Sequence, residues 1–327
     1  MYIKASMETR RRLSLRTIAS KDTLRLFDNL IDRLYAFDIQ GEENLSQLKE
    51  IQGNWKRSEW GKPLPIIVFF NHVATDDPLI VVAVLRKFLQ EDLGSLVIPY
   101  SEYYSHFNNF PAYALLIKLA KQIDGLEMVP ITQPYRLRDR RLTAKELEIL
   151  TKKAGKEGIQ FGRKLTGDFL LGKTLLLAPE GHRSPDGSLI PAEKGLGFAV
   201  NLAERLTSRN KIPEALILSF GLIYPAGYSK INAKLGEKEP ITVNVGPLMA
   251  PSEVIKNTAD FTKKFDLSLC QGNSAELITH YLMYNNSLLL PQSMRGVYDP
   301  GHSLFSRVLR NEIQQGINRD GKWGIIG

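Results

Sequence analysis

The stretch Pro65-Ile66-Ile67-Val68-Phe69-Phe70-Asn71-His72-Val73-Ala74-Thr75-Asp76-Asp77-Pro78 decides the fold. Its apolar run, bounded by Pro65 and Asn71, reads as a short buried strand. Pro78 suits the first position of a helix, with Asp77 as its N-cap. The polar cluster between them then lies in a strand-to-helix turn, where open α/β sheets carry their chemistry. Two readings of that cluster stand side by side. Asp77 can be a cap and His72 a polar residue closing a strand, or the two can form a catalytic pair.

Working outward, strands and helices alternate. The spacing predicts an amphipathic helix over about Asp22–Phe37, a short strand and turn over Asp38–Leu45, and a polar stretch with Trp55 and Trp60. After the strand at Ile66–Phe70 come a buried helix at Leu79–Gln90 and a strand near Ser95–Pro99. An aromatic stretch from Tyr100 to Phe110, a helix over 111–122 and a strand over 126–131 follow. Thr143 with Glu146 is a capping-box pattern that opens a long helix to about Leu171. Further strands are expected at Thr174–Leu177, Ala215–Ile223 and Ile241–Val245, with helices near Lys194–Leu206 and Phe261–Asn285. This order predicts an α/β fold: a largely parallel, mixed sheet covered by helices on both faces, with an N-terminal helical lead-in.

Composition narrows the partners. The chain has 327 residues, enough for a full core, and a net charge of +8. That balance favours anionic partners: phosphorylated metabolites, nucleic acid or an anionic membrane surface. No nucleic-acid-binding signature accompanies it, so no nucleic-acid partner is expected. The single cysteine, Cys270, excludes an intramolecular disulfide and a Cys-rich zinc site and suits a reducing compartment. The basic start, with Arg10, Arg11, Arg12 and Arg16, lacks the apolar core of a secretory signal. No apolar run approaches the roughly 18 residues of a spanning helix, so contact with lipid is expected from the surface.

Gly167-Asp168-Phe169-Leu170-Leu171-Gly172-Lys173-Thr174 matches the phosphate-loop pattern G-x-x-x-x-G-K-T. That motif works only between a strand and a following helix. Here the expected order is helix, then strand, so the match reads as a helix end capped by Gly172.

A second polar cluster follows the strand at Thr174–Leu177, in Ala178-Pro179-Glu180-Gly181-His182-Arg183-Ser184-Pro185. In a parallel sheet it opens onto the same edge as His72 and Asp77. An imidazole can take a proton from an attacking hydroxyl while a carboxylate behind it fixes the tautomer. An arginine in a Gly-flanked turn can hold a phosphate in its planar fork, and Glu180 is expected to order that turn through backbone and arginine contacts.

At these residues the sequence resembles the glycerolipid acyltransferase family of lysophosphatidate and glycerol-3-phosphate acyltransferases. Asn71, His72, Asp77 and Pro78 match its N-H-x-x-x-x-D motif followed by Pro, and Pro179–Ser184 is similar to its P-E-G-T-R-S motif. Gly41-Glu42-Glu43-Asn44-Leu45 looks like its G-x-E-N-L lead-in, and the likeness covers about residues 39–250. Three positions depart from the pattern. His182 replaces the motif's Thr, Ala178 its preceding Phe, and Thr132 and Gln133 stand where a phosphate-contacting Arg is usual.

The resemblance implies transfer of a fatty acyl group from an acyl thioester, on coenzyme A or acyl carrier protein, to the hydroxyl of a phosphorylated glycerolipid acceptor of lysophosphatidate type. His72 would be the general base and Asp77 its orienting carboxylate. Glu180, Gly181, Arg183 and Ser184 would bind substrate, with Arg136 or Arg138 standing in for the missing arginine. No metal or bound cofactor is implied. The alternatives are acylation of glycerol-3-phosphate or another lysolipid, or a non-catalytic membrane-binding relative. The implied organisation is a basic helical lead-in over 1–60, a catalytic domain over 61–255, and a C-terminal helix and irregular tail over 256–327. The expected location is cytoplasmic, peripherally associated with an anionic membrane in phospholipid biosynthesis.

Overall fold

In the computed structural model, β2 (Ile66–Phe70) is buried at every position and lies mid-sheet. The structure describes residues 27–101 except 30 and 75, residue 121, and residues 125–132, 142–224, 238–267, 274–301 and 306–311 except 308. Among the described residues, seven strands run in the order β1-β7-β6-β2-β5-β3-β4. The others are β1 (Tyr35–Gln40), β3 (Leu96–Ser101), β4 (Leu126–Ile131), β5 (Thr174–Leu177), β6 (Leu216–Ile223) and β7 (Glu239–Val245). Among the pairings of these strands only β6–β7 is antiparallel, so β6, β2, β5, β3 and β4 point one way. The carboxyl ends of these five strands therefore share one edge. This is the largely parallel mixed α/β sheet that the alternation predicts.

Strand periodicity distributes the core. Ile67 and Phe69 face α3 (Ala144–Leu170), α4 (Gly195–Ser208), α5 (Pro251–Lys264) and α6 (Ser274–Ser287), where Phe169, Leu196, Phe261 and Leu282 meet them in one cluster. Ile66, Val68 and Phe70 face α1 (Glu42–Arg57) and α2 (Asp77–Leu89), where Leu45, Leu48, Ile80 and Leu85 form the second. With two-residue alternation, both faces of one strand can be apolar only when helices cover both. Each such side chain contributes about 1.5–3 kcal/mol by leaving water, so β2 anchors the sheet from both sides.

Several expectations need correction. Residues 42–57, read as a turn and a polar stretch, form α1. Its inner face carries Leu45 and Leu48 but continues with Gln52, fully buried, which accepts from the Leu64 N–H at 2.6 Å and donates to the Leu64 carbonyl at 3.0 Å. A glutamine satisfied by backbone takes an apolar position and hides the helical stripe. The lead-in helix ends at residue 34, because Tyr35 is buried and opens the pairing of β1 with β7. The expected helix over Phe261–Asn285 is instead α5 and α6. Asp266 takes φ 51° just past α5, and the Leu267 N–H turns back to the Thr262 carbonyl. Residues 1–26, the aromatic stretch beyond Ser101, the helix expected over 111–122 and the basic loop with Arg136 and Arg138 lie outside the described residues, residue 121 aside.

The phosphate-loop match is a helix terminus. The Lys173 N–H reaches the Asp168 carbonyl and the Gly172 N–H that of Phe169, both at 3.0 Å, which closes α3 in a Schellman cap. Gly172 takes φ 71°, and a Cβ there would lie 2.1 Å from the Pro63 carbonyl oxygen. Lys173 faces no phosphate-binding turn. Its Nζ pairs with Asp168 at 2.8 Å and Glu127 at 3.0 Å, and Lys164 bridges the same two carboxylates at 2.7 and 2.8 Å.

Candidate active site

The site is assembled where β2 leaves the sheet. The Asn71 side chain accepts from the Leu222 N–H at 2.7 Å and donates to the Leu222 carbonyl at 3.0 Å. A side chain thus stands in for one more rung of the β2–β6 ladder. The main chain is released at His72, level with the carboxyl edge. His72 is then held by its backbone from the loop after β5: its N–H donates to Glu180 Oε2 at 2.6 Å, and its carbonyl accepts from the Ser184 N–H at 2.9 Å.

The His72 ring is oriented by Asp77. Nδ1 lies 3.0 Å from Asp77 Oδ2, with the imidazole side chain 18% exposed and the carboxylate wholly buried. The same oxygen accepts from the N–H groups of Val73 (2.6 Å) and Ala74 (2.8 Å). Oδ1 accepts from the Tyr224 hydroxyl. Asp77 is therefore not the N-cap that its place before Pro78 suggests. Asp76 holds that position without a side-chain cap, and Asp77 turns backwards onto the loop and the imidazole. The first turn of a helix, with its unpaired N–H groups, also favours a carboxylate electrostatically.

Two roles escape sequence reasoning, those of Tyr224 and Asn71. Tyr224 stands at the end of β6, and burial together with Asp77 beside it pushes the phenol well above its ordinary pKa, so it stays a donor. The available signal is a polar-tipped aromatic directly after an apolar strand, but only the strand order puts β6 next to β2. Asn71 is visible in the motif, yet its role as a ladder substitute depends on that same neighbour. Asp76, beside the pair, is pushed up to about 6 by burial and by the Asp77 charge, with Arg183 pulling the other way.

The loop after β5 brings the second cluster to the same edge. Gly181 takes φ 71°, a left-handed conformation that suits glycine, and its N–H closes a turn onto the Ala178 carbonyl at 3.1 Å. Glu180 is buried, and both its oxygens take backbone donors: His72 N–H and, at 3.0 Å, Ile190 N–H. Its hydrogen bonds thus join two loops, and among the described residues none goes to an arginine. Burial, with Asp77 adding to it, raises this carboxyl to about 8 against the pull of those two donors. Ser184 is also buried, with its hydroxyl on Asp186 Oδ1 at 3.0 Å. Arg183 is exposed, and its charge is felt at Asp76. The structure thus gathers His72, Asp77, Glu180, Gly181, Arg183 and Ser184 at one edge; Arg136 and Arg138 lie outside the described residues.

Chemically, Asp77 fixes the tautomer with the proton on Nδ1 and leaves Nε2 as the basic nitrogen. Among the described residues no side chain bonds to Nε2.

No family model matches the chain, and no curated protein does. Among solved structures, the chain is similar to the 1-acyl-sn-glycerophosphate (LPA) acyltransferase PlsC from Thermotoga maritima. The identity is 12%, over 77% of this chain and 81% of that one, with a TM-score of 0.41.

Proposed function

We propose that the protein is an acyltransferase that moves a fatty acyl group from a thioester of coenzyme A or acyl carrier protein to the hydroxyl of a lysophosphatidate-type acceptor. The observation that carries this reading is the His72–Asp77 pair, 3.0 Å apart, with no side-chain nucleophile bonded to Nε2 among the described residues. A dyad without a nucleophile suits direct attack by a substrate hydroxyl. Nε2 takes the acceptor's proton as its oxygen attacks the thioester carbonyl. The tetrahedral intermediate then collapses, the carbon–sulfur bond breaks, and the imidazolium returns the proton to the departing thiolate. Asp77 stabilises the imidazolium between those steps, and Tyr224, Val73 and Ala74 hold Asp77 still.

Arg183, exposed at the same edge, is assigned to the acceptor phosphate, which its planar fork suits better than a lysine would. Among the described residues no helix is long and apolar enough to cross a membrane, and the acceptor would be met at an anionic bilayer surface. The test is purified protein given labelled acyl thioesters on either carrier and a panel of lysophosphatidate, glycerol-3-phosphate and uncharged lysolipid acceptors, with products read by mass. His72→Ala should lose on the order of 10²–10⁴ in turnover while melting like the wild type. Arg183→Lys should raise the KM for phosphorylated acceptors more than that for the donor. Full turnover by a folded His72→Ala variant would end the proposal.

A further inference from the structure

The geometry points to a second functional surface: we propose that the outer half of α3 is an arm that lies on an anionic lipid bilayer beside the His72 edge. The choice of lipid as partner rests on the acyltransferase reading; the surface itself rests on the following observations.

Thr143 and Glu146 start α3 with a complete capping box. Glu157 Oε2 accepts from the Thr132 N–H at 2.6 Å, just past the end of β4, while Lys164 meets Glu127 near the start of that strand at 2.8 Å. The helix therefore runs back along β4. Residues 144–156, about 20 Å of helix at 1.5 Å per residue, lie past the carboxyl end of the strand. Because β4 and β2 point the same way, this overhang is on the side where His72 emerges. The helix's fully buried residues among those described, Leu165, Asp168 and Phe169, all lie toward its far end.

The overhang has a particular face. At about 100° per residue, Lys145, Ile149, Lys152, Lys156, Ile159 and Arg163 stack in one stripe, and all six are exposed. Ile149 and Ile159 are 57% and 62% exposed. A single exposed isoleucine needs no explanation; two of them spaced along a basic stripe do. Glu148 at the margin pairs with Lys152 at 2.6 Å, while among the described residues Lys145, Lys156 and Arg163 have no acidic partner. The stripe from Lys145 to Arg163 is straight and about 27 Å long. A straight cationic line with apolar side chains within it suits a flat anionic surface, where ammonium groups meet headgroups and isoleucines enter the acyl boundary.

The test is co-sedimentation of the full chain with phosphatidylcholine vesicles, with and without phosphatidylglycerol. The wild type should bind the anionic vesicles, and salt should weaken that binding. Each basic residue near such a surface is worth roughly fivefold in partition, so Lys145→Gln/Lys152→Gln/Lys156→Gln should lose on the order of 100-fold. Ile149→Ser/Ile159→Ser should also lose affinity, and this loss should persist at high salt. Binding of either variant within about twofold of the wild type, on the same vesicles, would overturn the proposal. So would a loss of acyl-carrier-protein capture with vesicle binding intact, which would make the stripe a protein-docking surface. His72→Ala should bind vesicles like the wild type, so failure of the chemistry is read in turnover and failure of the arm in sedimentation.

Discussion

Asp77→Asn isolates charge from geometry at the proposed site. The asparagine oxygen can take the place of Oδ2 and keep its three donors, the His72 ring and the N–H groups of Val73 and Ala74. The new NH2 then faces Tyr224, whose hydroxyl can turn to accept from it. The tautomer and orientation of His72 survive, and only the negative charge behind the imidazolium is lost. Two unit charges about 4 Å apart in an effective dielectric near 20 attract by about 4 kcal/mol. If that attraction develops in the transition state, kcat should fall by about 10³. The KM for the acceptor should change little, because the neutral imidazole of the ground state has little charge to lose contact with. Single-turnover acyl transfer, with thermal melting as a control for folding, measures this directly. Pairing Asp77→Asn with His72→Ala should cost no more than His72→Ala alone, since the carboxylate acts through the ring. A drop of less than about fivefold for the single variant, or fully multiplicative losses in the double, would refute the dyad reading.

Three further outcomes follow from the same contacts. Tyr224→Phe leaves a buried carboxylate oxygen without its donor and should cost about 1–3 kcal/mol in urea unfolding; a change below about 0.5 kcal/mol would mean that the hydroxyl contributes nothing to holding Asp77. Glu180, raised to about 8 from an ordinary value of 4.5, binds its proton more tightly in the folded state, so stability falls as pH rises from 4.5 through 8. Glu180→Gln lacks that dependence, and the wild type's stability relative to this variant should shrink by up to about 4 kcal/mol between pH 5 and 8. A gap that is flat or widens with pH would contradict the burial argument. Lys173→Ala should cost about 1–2 kcal/mol by opening the network around Asp168, and neither variant nor wild type should bind ATP or GTP; micromolar binding that the substitution abolishes would revive the phosphate-loop reading.

What the sequence determined by itself is local and periodic. The five-residue run at Ile66–Phe70, bounded by Pro65 and Asn71, reads as a short buried strand, and β4 and β5 fall where their own apolar runs place them. The capping box at Thr143 and the glycine after Leu171 mark both ends of α3, because caps are short-range hydrogen-bond patterns. His72 and Asp77 share one turn, so their pairing needs only the strand-to-helix geometry between them. Tertiary structure decided whatever depends on a neighbour distant in sequence. Gln52 hides in a core position because Leu64 satisfies its amide. Asp77 turns away from its own helix because the ring and the loop N–H groups behind it, with the Tyr224 hydroxyl, outnumber what the helix end offers. Glu180 ties the loops together because β5 lies beside β2, and Tyr224 reaches the carboxylate because β6 lies on β2's other side. A buried polar group takes whichever partners the fold brings to it, since leaving it unpaired costs more than most local preferences are worth. Strand order is the physical reason that the pair is visible in the chain and the partners of its supports are not.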